Sequence, residues 1–199
     1  STSLFIALGN SAEALIVAYV VKRYCNTSYC FQSVHQVVVF ALISLTACAV
    51  SASVGVLSLS LGVDLPNHLL TTVWLTWWLG DITGVYIITP FLIIWSCHWR
   101  SLTRLMTHAH AWLPIALVIV FCGATFFQWG NLKLFYSQAY LLIPLLVFIV
   151  MVYGNKQTTL AVAIISGAAI WGTLNGYGPF VRELQNESLM LLQGFVGVI

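Results

Sequence analysis

Apolar residues in this chain gather into seven blocks, at about 3–21, 34–60, 69–96, 111–128, 138–153, 157–175 and 188–199. A helix that crosses a bilayer needs about 20 mostly apolar residues, so the pattern predicts seven membrane-spanning helices. The block at 69–96 exceeds that need, at about 42 Å if wholly helical. Gly80, Gly84 and Pro90 inside it predict a bend, and tilt is the other way to fit the length. Pro144 predicts a kink, tolerated where neighbours satisfy the freed carbonyl. The first block begins almost at Ser1 and the last stops after 12 residues. We therefore read the chain as a portion of something longer, ending inside a helix.

Composition removes the soluble alternatives. Of 199 residues, 60% are hydrophobic and 6% are charged, with a mean hydropathy of +0.97. A soluble domain carries roughly 25% charged residues, and seven basic plus five acidic side chains cannot coat a water-soluble globule of this size. The net charge of +2 is too small and scattered for nucleic acid to be a partner. The expectation is an all-α, polytopic transmembrane bundle forming one domain over 1–199, without repeats or linkers, whose first partner is the lipid bilayer.

Charge in the short loops predicts the orientation. With residue 1 outside, Lys22, Arg23, Arg100, Arg104 and Lys156 fall inside, against Lys133 and Arg182 outside. The C-terminus is then cytoplasmic, where an output module could follow. Trp95, Trp99 and Trp112, with Trp129, Tyr136 and Tyr140, sit where aromatic rings anchor span ends at the headgroup layer.

Ionisable groups at bilayer depth are costly and need a reason. Glu13 lies about 15 Å along its helix from the outer end, and Asp81 at comparable depth. All seven Lys and Arg residues lie in loops, so neither acid has a basic partner within a span. The missing partner is a residue on an absent helix, a ligand cation, or a retained proton. Trp74, Trp77, Trp78 and Asp81 follow i, i+3, i+4, i+7 spacing and share one helical face. Asn10 and Glu13 share another face, as do Trp171 and Asn175. All three clusters fall in the outer half, which predicts an outward-opening, aromatic-walled ligand site at these eight residues. The competing reading is structural, with polar residues as interhelical glue and indoles as packing. Small residues at Ala47, Ser51 and Gly55, and at Ala163 and Gly167, predict seams for close helix approach.

No catalytic apparatus is visible: phosphate loop, nucleophile elbow and HExxH helix are all missing, and no cofactor is implied. Cys25 and Cys30 share a loop placed in the cytoplasm, where they stay reduced. With His35 they match no standard zinc spacing. His98, His108 and His110 share a loop with Arg100 and Arg104, read as interfacial and polar, with a metal or acidic-lipid site as the alternative.

The words Gly9-Asn10…Glu13-Ala14-Leu15, Trp77-Trp78-Leu79-Gly80-Asp81…Gly84…Pro90, Tyr140…Pro144-Leu145-Leu146 and Trp171-Gly172-Thr173…Gly176…Gly178-Pro179-Phe180 occur in order. Together they resemble MASE1, a bacterial membrane-associated sensor domain, over nearly the whole chain. The resemblance implies a plasma-membrane input module, usually of eight helices. Such a module precedes histidine-kinase, diguanylate-cyclase or phosphodiesterase modules, often with PAS domains between. Seven spans with an outer N-terminus then fit such a domain lacking its first helix. The leading expectation is a non-enzymatic sensory and anchoring domain. It answers a small ligand or the state of the membrane, and dimerises through its parent protein. A proton- or cation-coupled transporter and a passive dimerisation anchor are the alternatives.

Overall fold

The computed structural model describes residues 2–24, 31, 33–62, 66–97, 112–127 and 139–199. Among them every regular element is helical: α1 (Thr2–Tyr24), α2 (Val34–Gly62), α3 (Asn67–Cys97), α4 (Leu113–Phe126), α5 (Leu142–Tyr153), α6 (Asn155–Leu174) and α7 (Gln185–Val198). α1, α2, α6 and the His68–Ser96 stretch of α3 are long and apolar enough to cross a membrane. α4 and α5 are shorter apolar helices.

The surface is inverted relative to a soluble protein. Leu15, Val34, Leu61 and Met151 stand well exposed, while Glu13, Ser44, Ser51, Thr125 and Ser166 are buried. Large exposed apolar areas mark contact with other apolar matter, and here they run along the helices, as suits spans that face lipid.

The chain divides into two compact units, residues 1–86 and 87–199. In the first, α1 and α2 run antiparallel in close contact. Gly9 makes that possible: a Cβ there would lie 3.3 Å from Val54 Cγ1 and 3.6 Å from the Ser51 carbonyl. The Ala47 and Ser51 positions of the expected seam are buried on the facing side. α3 is attached to α2 differently, by long aromatic side chains. The Trp74 indole donates to Ser53 Oγ at 3.0 Å, Trp78 to the Leu45 carbonyl at 3.0 Å, and the Tyr86 hydroxyl to the Ala41 carbonyl at 2.9 Å. The third seam position, Gly55, receives the Trp77 ring, whose Cη2 would stand only 2.6 Å from a Cβ on Gly55.

In the second unit, α4, α5, α6 and α7 enclose one core that includes Val118, Cys122, Phe126, Leu146, Ile149, Ile165 and Phe195. Gly172 of α6 lies against the α4 backbone, where a Cβ would sit 2.7 Å from the Phe126 carbonyl oxygen. The buried stripe of α6 is Ala161, Ile165, Ala169 and Gly172. This corrects the expected Ala163–Gly167 seam: Gly167 is exposed and has nothing within 4 Å of a Cβ position.

Pro144 does not kink a helix. It is the third residue of α5, where the backbone N–H has no intrahelical partner to lose. Pro90, by contrast, lies inside α3, which continues to Cys97.

Candidate functional site

α1 carries Glu13 at the level where α2 places Cys48, because the two helices are antiparallel and in close contact. Glu13 is 9% exposed and Cys48 fully buried, and the thiol donates to Glu13 Oε1 at 3.4 Å. One turn along, Ser51 Oγ donates to Asn10 Oδ1 at 3.0 Å. α3 brings Asp81 to the same place: its carboxyl interacts with that of Glu13 and with the Trp77 side chain. Asp81 Oδ2 is buried without a hydrogen bond.

Two carboxyl groups, an indole and a thiol therefore meet at span depth, and among the described residues no Lys or Arg acts on Asp81. A buried pair of like charges is strongly unfavourable at low dielectric. Among the described residues, no set of three His, Cys, Asp or Glu side chains could hold a metal ion.

Of the eight residues singled out from the sequence, the structure joins Glu13, Asp81 and Trp77. Asn10 is exposed, and its bond to Ser51 ties α1 to α2 next to the acids. Trp74 and Trp78 stack with centroids 5.2 Å apart, and both N–H groups are bonded to α2, so what the structure shows of them is a fastening between helices. Trp171 and Asn175 belong to the second unit. Trp171 is 63% exposed, and Asn175 Nδ2 donates to the Trp171 carbonyl at 2.8 Å, closing the end of its own helix. Cys25, Cys30, Trp99, Trp129, Tyr136 and the His98/His108/His110 loop lie outside the described residues. His35 lies within them and is exposed.

Cys48 and Tyr86 were not singled out from the sequence. Ser44, Cys48 and Ser51 recur at i, i+4, i+7 on α2, a polar stripe that a thiol hides because cysteine counts as apolar.

Helices with exposed apolar faces, four of them long and apolar enough to cross a bilayer, define a polytopic helical membrane domain. Its family follows from the sequence as a whole: the MASE1 family model matches residues 1–199. The chain belongs to the MASE1 family, the membrane-associated sensory domain of signalling proteins, which is itself non-catalytic. No curated protein and no solved structure shows a significant match to it.

Proposed function

We propose that this domain is the sensory input and membrane anchor of a bacterial signal-transduction protein of the histidine-kinase or diguanylate-cyclase/phosphodiesterase type. It sits in the inner membrane with a cytoplasmic C-terminus, acts within a homodimer of the parent protein, and passes its state to an output module following residue 199. The Glu13–Asp81 pair is its polar centre, with Trp77 beside it and Trp74 and Trp78 behind. The observation that carries this reading is the buried, unpartnered Oδ2 of Asp81 next to a second acid. A group held this way stabilises whichever helix arrangement supplies a proton or cation, and a ligand shifts a two-state equilibrium through such differential affinity.

The test uses the full-length signalling protein with its output read by a reporter. Asp81→Asn should abolish the stimulus response while expression and membrane insertion stay normal. An unchanged response removes Asp81 from the site. The same acids would suit a proton or cation relay. Substrate or proton flux through proteoliposomes, lost in Asp81→Asn, would replace the sensor reading with a transporter.

A further inference from the structure

The turn joining α6 to α7 lies at the end of a candidate span, and its backbone is fixed on both sides. Gly176 and Gly178 adopt φ of 78° and 94°, a region that glycine enters at no steric cost. The chain folds back there, so that the Gly176 N–H donates to the Thr173 carbonyl at 3.1 Å and the Tyr177 N–H to the Gly172 carbonyl at 2.8 Å. On the far side the Arg182 N–H donates to Ser188 Oγ at 2.7 Å, and Ser188 is buried. Every one of these bonds lies within the second unit.

This frame presents three charged side chains, Arg182, Glu183 and Glu187, all exposed. The guanidinium of Arg182 is anchored: its Nη1 donates to the Val181 carbonyl at 2.9 Å and to the Pro179 carbonyl at 3.4 Å. A guanidinium has five N–H donors. Its Nε–Nη2 edge therefore stays open, and that edge is a fork matching two oxygens of a phosphate. Among the described residues, Arg182 has no ion pair with either glutamate, and neither glutamate has a cationic partner. Trp171 and Leu174 at the end of α6, and Leu184 just before α7, are more than half exposed. An exposed indole at a span end suits the boundary between headgroups and acyl chains.

We propose that this turn binds the headgroup of a phosphatidylethanolamine, the phosphate on the open fork of Arg182 and the primary ammonium on Glu183 and Glu187. Both halves of the headgroup are then met by opposite charge. An ammonium brings three N–H donors to the carboxylates, in charge-assisted bonds, whereas a trimethylated choline headgroup brings none. A phosphatidylglycerol would place a net negative lipid beside two carboxylates, which is repulsive. The surface is independent of the Glu13–Asp81 reading.

The test is native mass spectrometry of the whole chain in detergent, titrated with phosphatidylethanolamine, phosphatidylcholine and phosphatidylglycerol of identical acyl chains. Phosphatidylethanolamine should bind about tenfold more tightly than the other two. Arg182→Gln should remove most of that preference. The double variant Glu183→Gln/Glu187→Gln leaves the backbone bonds of the turn intact. It should bring phosphatidylethanolamine down to the level of phosphatidylcholine and strengthen phosphatidylglycerol. Arg23→Gln, at the exposed end of α1, should change nothing, and unaltered circular dichroism verifies the fold of each variant. Equal binding of the three lipids, or tightest binding of phosphatidylglycerol, would overturn the proposal. So would a preference that survives the double glutamate variant, or one that Arg23→Gln removes as fully as Arg182→Gln.

Discussion

Cys48 and Glu13 are bonded across the contact of α1 with α2, Sγ to Oε1 at 3.4 Å, with the thiol fully buried and the acid nearly so. The bond joins a weak donor to the most costly group in α1. Its value lies less in its strength than in what its loss would leave, because an unsatisfied buried polar atom bears a full desolvation penalty.

Cys48→Ala and Cys48→Ser should therefore part company. Alanine removes the donor and should cost about 1–3 kcal/mol of stability. Serine supplies an O–H at the same position and should stay within about 1 kcal/mol of wild type. Unfolding in mixed micelles at increasing SDS fraction measures both. Equal losses for the two would mean that the thiol packs but does not bond.

The glycines give an ordering that helix propensity alone does not. Gly172→Ala places a methyl group 2.7 Å from the Phe126 carbonyl oxygen, and a backbone atom cannot swing aside. Gly55→Ala meets the Trp77 ring at 2.6 Å, which can move by rotation of its side chain. Gly167→Ala meets nothing. Overpacking typically costs about 1–3 kcal/mol, so Gly172→Ala should lie at the upper end and Gly55→Ala below it. Gly167→Ala should be neutral or stabilising by up to about 1 kcal/mol. Thermal unfolding in detergent ranks the three, and a different order would show that α4 and α6 yield more than their packing indicates.

The tryptophans divide by what their N–H groups do. Trp74→Phe and Trp78→Phe each lose a hydrogen bond to α2 and should each lose about 0.5–1.5 kcal/mol. Trp77 has the acid beside it and Gly55 beneath it. Trp77→Phe should therefore change the output response of the full-length protein by several-fold and affect stability less than either neighbour. A signalling phenotype confined to Trp74 and Trp78 would shift the site away from Asp81.

Much of this architecture is legible in hydropathy. The block at 34–60 becomes α2 at Val34–Gly62, and the block at 188–199 becomes α7 at Gln185–Val198. Long apolar runs leave few ways to misplace a helix. Hydropathy does not reveal where inside a run the helical bonding starts, which is why Pro144 reads as a kink and turns out to lie in a first turn. Nor does spacing reveal which side holds a neighbour: Ala163 and Gly167 are four apart, as are Ala161, Ile165 and Ala169, yet only the latter stripe meets a core. For the site, the depth of Glu13 and Asp81 marks both as unusual. Their meeting depends on α1 and α3 coming together along α2, and a pattern confined to single helices cannot show that.

Chemical labelling of the first loop tests the orientation. Lys22 and Arg23 close α1 with two positive charges, and cationic residues in short loops stay on the cytoplasmic side. Cys25 and Cys30 follow them in the sequence and should be reduced there. In intact spheroplasts, a membrane-impermeant maleimide should leave both thiols unmodified, while a permeant one modifies them. Cysteines engineered at Tyr177 or Glu183, in the turn after α6 on the opposite side of the predicted topology, should react with the impermeant reagent. Impermeant labelling of Cys25 or Cys30, or a disulfide between them, would reverse the topology. It would also put the C-terminus on the exterior, where no cytoplasmic output could be driven.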